Sequence, residues 1–160
     1  LKDSSAACLW YVVSGTHKEA GAATASLINP DSNGLLQLVG IESGAVIAGQ
    51  QPDERPVAMI IAPMPTLEGQ VRPGPASAVD QCSSSFVANR FLDADGGSGV
   101  SNASLSGVAD GLDLLATAAG YDPDHNDRIA VVTRADLARR VQQRHDFDAT
   151  MGAFAIAAAR

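Results

Sequence analysis

Arg55-Pro-Val-Ala-Met-Ile-Ile-Ala-Pro-Met-Pro-Thr-Leu-Glu-Gly-Gln-Val-Arg72 decides the fold. Residues 57–62 are apolar at every position, so both faces of a strand made from them turn away from water. That is the pattern of a strand in the middle of a folded domain. Pro63 and Pro65 lack the amide hydrogen needed to prolong a central ladder, and they fix the exit of the strand by covalent geometry. Gly69-Gln70 then reads as a polar turn.

Further strand signals lie upstream. Residues 9–13, Leu-Trp-Tyr-Val-Val, form a short β-run ended by Ser14-Gly15. Residues 18–27 are Ala-rich and helical in tendency, weakened by Gly21. Asn29-Pro-Asp-Ser-Asn-Gly34 is a dense turn signal, because proline sets φ and Asn-Gly tolerates positive φ. Residues 35–41 and 45–48 read as two strands about a Glu42-Ser43-Gly44 turn, a hairpin.

Beyond Gly69 the character changes. Residues 82–92 fit a short helix with Phe86, Val87, Arg90 and Phe91 on its buried face. Residues 93–102 are rich in Gly, Ser and Asp and are expected on the surface. Residues 105–119 are expected to be helical, although Gly107 and Gly111 each cost about 1 kcal/mol relative to Ala. Residues 129–132 read as a strand. Thr133-Arg-Ala-Asp136 is a capping-box variant that opens a long helix towards Arg160, its apolar side lined by Leu137, Val141, Met151 and Phe154. The expected fold is α+β, one domain over residues 1–160 with a mainly antiparallel sheet packed against helices.

Composition excludes some function classes. A chain of 160 residues with 46% hydrophobic content can build a core, so wholesale disorder is excluded. The net charge of −7 and scattered Lys and Arg argue against nucleic-acid binding. Aromatic residues make up only 4%, which leaves small and branched aliphatic side chains to fill the core around Trp10. Two cysteines, Cys8 and Cys82, are compatible with one disulfide. The long loop so closed would stabilise by roughly 4 kcal/mol on the chain-entropy view. Two buried free thiols in a cytosolic protein are the alternative. The chain starts with Leu and stops inside an Ala-rich helical pattern, so it reads as an excised or processed piece.

No catalytic signature emerges. The sequence has no Gly-x-Ser-x-Gly elbow, and Gly96, Gly97 and Gly99 make no phosphate cradle. A thiol dyad of Cys82 with His17, His125 or His145 lacks a nucleophile signature and an orienting group. The chain is not expected to be an enzyme.

Two acidic loops are candidate calcium sites. Asp93-Ala-Asp95-Gly-Gly-Ser-Gly sets two carboxylates in a Gly-rich turn, and Asp122-Pro-Asp124-His-Asn-Asp127 crowds three into six residues. The competing reading gives these residues to local turn caps, and Asp127 with Arg128 to pinning a strand entrance. Asn102-Ala-Ser104 matches a glycan acceptor.

Cys8-Leu-Trp-Tyr-Val-Val-Ser-Gly15, the stretch Asn29 to Gly34, Val57-Ala-Met-Ile-Ile-Ala-Pro63 with Gly69-Gln70 and Arg72, and Asn126-Asp-Arg-Ile-Ala-Val-Val-Thr-Arg-Ala-Asp-Leu137 together resemble bacterial type IV pilin-like proteins. In that family they resemble the larger minor pilins and pseudopilins with a methylated prepilin N-terminus. The family's Gly-Phe-Thr-Leu-x-Glu cleavage site and N-terminal hydrophobic helix are absent from this chain. The resemblance implies a periplasmic or extracellular headgroup carried on such a helix, its only link to a membrane. Its partners would be other pilin or pseudopilin subunits of a type IV pilus or type II secretion pseudopilus. A disulfide between Cys8 and Cys82 agrees with that location. The alternative class is a secreted soluble binding or hydrolytic domain, suggested by the acidic loops and the two cysteines.

Overall fold

The computed structural model describes residues 1–18, 31–68, 70–72, 87–94, 99–105, 112–120, 122–144, 146 and 148. All five strands expected from the sequence form, and a sixth joins them. Among the described residues they are β1 (Trp10–Val13), β2 (Leu36–Gly40), β3 (Val46–Ala48), β4 (Ala58–Ala62), β5 (Asp113–Thr117) and β6 (Arg128–Val132), followed by one α-helix, α1 (Arg134–Gln142). This is α+β in the broad sense, and no helix among the described residues is long and apolar enough to cross a membrane.

The strands form two sheets instead of the single one expected. One has the order β1-β4-β6 and is antiparallel throughout; the other has the order β3-β2-β5. β2 and β3 make the expected antiparallel hairpin, with a register shift between Leu38 and Val39. β2 and β5 run parallel, Leu38 opposite Leu115. A parallel pair needs a long crossover, and the chain passes through β3 and β4 before it returns.

β4, from the opening stretch, is the central strand of its sheet, and its Met59 and Ile61 are fully enclosed. They meet Leu36, Leu38 and Leu115 of the second sheet, with Phe91 and Leu92 closing the core. Trp10 and Val12 add the inner side of β1, and the Trp10 and Phe91 rings lie 5.9 Å apart. Each enclosed Leu, Ile or Met contributes about 1.5–3 kcal/mol through burial.

The outer face of β4 is not covered. Ile60 is 41% exposed and lies in register between exposed Tyr11 and Ala130, which corrects the expectation that both faces are buried. The reason is that the second sheet, β3-β2-β5, packs on the inner face of β4 alone. Helix α1 contributes no fully buried residue, and Val141, expected on its apolar side, is exposed. The Thr133–Asp136 capping box does form, each side chain accepting from the other's backbone amide.

Two expected helices are corrected. Residues 113–117 form β5, because pairing with β2 and burial of Leu115 outweigh a weak helical preference. Of residues 82–92, only Ala88–Arg90 makes a single 3₁₀ turn among the described residues. Phe91 and Leu92 are buried there, while Val87 and Arg90 are exposed. The helical tendency of residues 18–27 falls, beyond Lys18, outside the described residues, as do Phe86, Met151 and Phe154.

At one end the two sheets are sewn together by Ser14. Its amide donates to the Val57 carbonyl at 2.9 Å, and its hydroxyl accepts from the Leu35 amide at 2.9 Å. Gly34 sits beside this seam. A Cβ there would lie 2.0 Å from the Pro56 carbonyl oxygen, so close backbone approach, and not positive φ, requires glycine.

Candidate functional site

At the other end, β4 leaves through Pro63, β5 ends and β6 begins. Arg128 donates to the Ala118 and Gly120 carbonyls at 2.8 Å each, and the Thr117 hydroxyl donates to the Asp127 carbonyl at 3.0 Å. The Asp-Arg pair therefore does help to pin the strand entrance. Asp127 itself turns inward and is 0% exposed.

Asp127 meets Asp93, which the sequence places in the other acidic loop. Asp127 Oδ2 accepts from the Asp93 amide at 2.9 Å, and Asp93 Oδ2 accepts from the Asp127 amide at 2.8 Å. Asn102 completes the cluster. Its Nδ2 donates to Asp127 Oδ2 and to the Ala116 carbonyl, while its Oδ1 accepts from the Ala116 amide, all at 2.9 Å. The side chain thus pairs with the free edge of β5 as a neighbouring strand would, and it ties that edge to β6. The expected surface position of residues 93–102 is corrected at both ends, since Asp93 and Asn102 are each 4% exposed. An Asn held in this way cannot accept a glycan while the domain is folded.

Burial and mutual repulsion set the electrostatics. Burial pushes the Asp127 carboxyl up to about 7, with the charge of Asp93 adding to the rise. Asp93 is also raised, by burial, against hydrogen bonds and the nearby His125 and Arg72 that pull it down. Both carboxyls therefore keep a proton to higher pH than an exposed aspartate does.

Arg72, at the end of the opening stretch, supplies the facing cation. It donates to the carbonyls of Pro63, Met64 and Phe91 and to Gln70 Oε1, and its guanidinium lies 5.8 Å from the centre of the Phe91 ring. Burial lowers its pKa, while Asp127, Asp3 and Asp93 draw it back up. Asp3 holds the same exit from the other side, accepting the Met64 amide at 2.8 Å. Asn126 also donates to the Pro65 carbonyl.

Asp122 Oδ1 accepts from the amides of Asp124 at 2.8 Å and His125 at 3.1 Å, which is a local turn cap. His125 is buried, its Nδ1 3.4 Å from Asp122 Oδ1. Asp124 is exposed. Asp95, Cys82 and His145 lie outside the described residues. Among the described residues no three acidic, histidine or cysteine side chains gather to hold an ion. Cys8 is disulfide-bonded, and the only other cysteine of the chain is Cys82. His17 is half-buried, Nδ1 2.9 Å from the Thr16 hydroxyl, and burial lowers its pKa.

Sequence reasoning missed Arg72 and Asn102 as parts of one cluster. The only local signal for Asn102 was a sequon, which concerns a different chemistry. A second surface feature is an open depression of about 400 Å³ lined by Gln70, Val71, Asn89 and Arg90. Comparison with protein-family models, curated proteins and solved structures finds no match.

Proposed function

We propose that this chain is the headgroup of a structural subunit, a minor pilin or pseudopilin that works by packing against other subunits outside the cytoplasm. The carrying observation is the outer face of β1, β4 and β6, where Tyr11, Ile60 and Ala130 lie side by side, exposed and without charge. Contiguous exposed apolar surface marks a place where proteins meet. The disulfide at Cys8 fits an oxidising compartment. The acid pair joins segments of the chain inside the domain and leaves that outer face to partners.

The test is a photo-crosslinking residue at position 11 in the full-length protein, in the cells that make it. Adducts with proteins bearing a prepilin-type N-terminus are expected. Adducts confined to unrelated proteins, or a reading frame without a prepilin cleavage site and hydrophobic helix ahead of Leu1, overturn the proposal.

A secreted binding domain is the second reading, favoured by the depression beside Arg90. A crosslinker at Val71 that captures a soluble ligand, with none captured at position 11, favours it.

A further inference from the structure

Helix α1 is short and stands almost clear of the domain. It has nine residues and buries none of them, whereas a helix without packing needs roughly 12–15 to persist in water. Residues 138–144 are exposed at every position, and Leu137 ahead of them is only half-buried. Past Gln142 the turn continues, the Arg144 amide donating to the Val141 carbonyl at 3.2 Å. Leu137, Arg140, Val141 and Arg144 therefore follow the spacing that brings side chains onto one side of a helix. The capping box fixes the start of the helix, but its exposed side, with Val141 43% open, is left to be covered.

Charge separates this helix from the rest of the chain. Residues 134–144 hold four arginines and one aspartate, a net charge of +3, so the other residues of a chain at −7 carry −10. Arg139 and Arg144 pair with Asp136 and Asp146 at the surface, where such pairs are worth little and exchange readily. Arg140 has no ion-pair partner among the described residues. Matching acids lie at the same end of the domain. β4 begins where β6 ends, Ala58 opposite Val132, and the 3₁₀ turn Pro52–Glu54 leads into β4 as α1 leads out of β6. Asp53 and Glu54 are exposed there, without an ion pair among the described residues.

We propose that α1 docks onto a second copy of this chain, the side carrying Leu137, Arg140, Val141 and Arg144 in each copy lying on the other copy's Asp53–Glu54 turn. Helix and turn share one end of the molecule, so a single two-fold rotation forms the contact twice. Opposite charge steers the two copies together and fixes their register. An anionic membrane is a poorer match, since it repels the −10 carried by the remaining residues. The contact uses other residues than Tyr11, Ile60 and Ala130, and it holds or fails independently of the pilin reading.

The experiment is sedimentation equilibrium of the disulfide-intact chain, with two charge-reversed variants, Arg140→Glu with Arg144→Glu and Asp53→Lys with Glu54→Lys. All six changes of partner are at exposed positions, and far-ultraviolet circular dichroism checks that each variant folds. The wild-type mass should approach that of a dimer below about 1 mM protein in low salt, and return towards the monomer at about 1 M salt, where charges are screened beyond about 3 Å. Each variant alone should dissociate at least about tenfold more readily, and an equal mixture of the two should regain the dimer, because both contacts are then restored with their charges exchanged. A wild-type chain that stays monomeric in low salt overturns the proposal. So does a dimer that both variants keep, a mixture that fails to associate, or α1-dependent binding to phosphatidylserine vesicles without self-association.

Discussion

The backbone amide of Asp93 donates to the side chain of Asp127, and the backbone amide of Asp127 donates to the side chain of Asp93. Each residue is therefore both caught and catching. The arrangement closes without help from solvent, and it joins a loop to a strand entrance far away in sequence. Its weakness is charge, since the same carboxyls that accept these bonds are enclosed beside one another.

Global stability should fall as pH rises from about 4 to about 7. The folded chain keeps the Asp127 proton up to about 7, whereas the unfolded chain releases it near 3.8, so between those values the folded state binds more protons. The sign is the reverse of an ordinary salt-bridged aspartate. At about 1.4 kcal/mol per pH unit the full loss is on the order of 4 kcal/mol, complete above neutrality. Asp3 acts in the opposite sense: burial alone would raise its carboxyl, but hydrogen bonds from Ser5, Met64 and Ala7 leave it lowered. Its contribution is lost on acidification. Urea midpoints should therefore peak near about pH 4–5, and midpoints that climb from pH 5 to 8 would contradict the assignment.

Arg72→Met should destabilise by about 2–3 kcal/mol, because three carbonyls lose a charged donor and the exit of β4 loses its brace. Arg72→Lys should recover less than half, since an ammonium cannot span acceptors set for a planar fork. In the Met variant the Asp127 carboxyl should also titrate higher, which a carboxyl-resolved titration reads independently of stability.

Gly34→Ala should cost more than about 3 kcal/mol or prevent folding, as the new methyl would collide with the Pro56 carbonyl. Gly120→Ala, with open space around it, should stay within about 0.5 kcal/mol in the same thermal melts.

Millimolar calcium should move the melting temperature by less than roughly 1 °C, because Asp122 caps its own turn and Asp93 and Asp127 accept each other's backbone amides. A rise that grows with calcium concentration would show that the acidic loops hold an ion after all.

Much of the scaffold was legible. β4 shows in an unbroken apolar run and its prolines, the hairpin in its turn residues, and the start of α1 in Thr133 and Asp136. These signals are local. β5 was hidden because its neighbour β2 lies far away in the chain, and nothing in Leu114-Leu115-Ala116 tells a strand from a helix. The acid pair was hidden for a deeper reason. Asp93, Asn102 and Asp127 look like loop residues one by one, and their burial comes from meeting each other. Grouping the acids by loop separated Asp93 from Asp127, which meet in the fold.

Pro63, Met64 and Pro65 have a mechanical consequence. The N-terminal segment is fastened to this exit by Asp3 on the Met64 amide, and its Lys2 forms a bridge with Cys8 just before β1. A tug applied at Leu1 would be shared between β1, lying alongside β4, and the proline exit braced by Arg72.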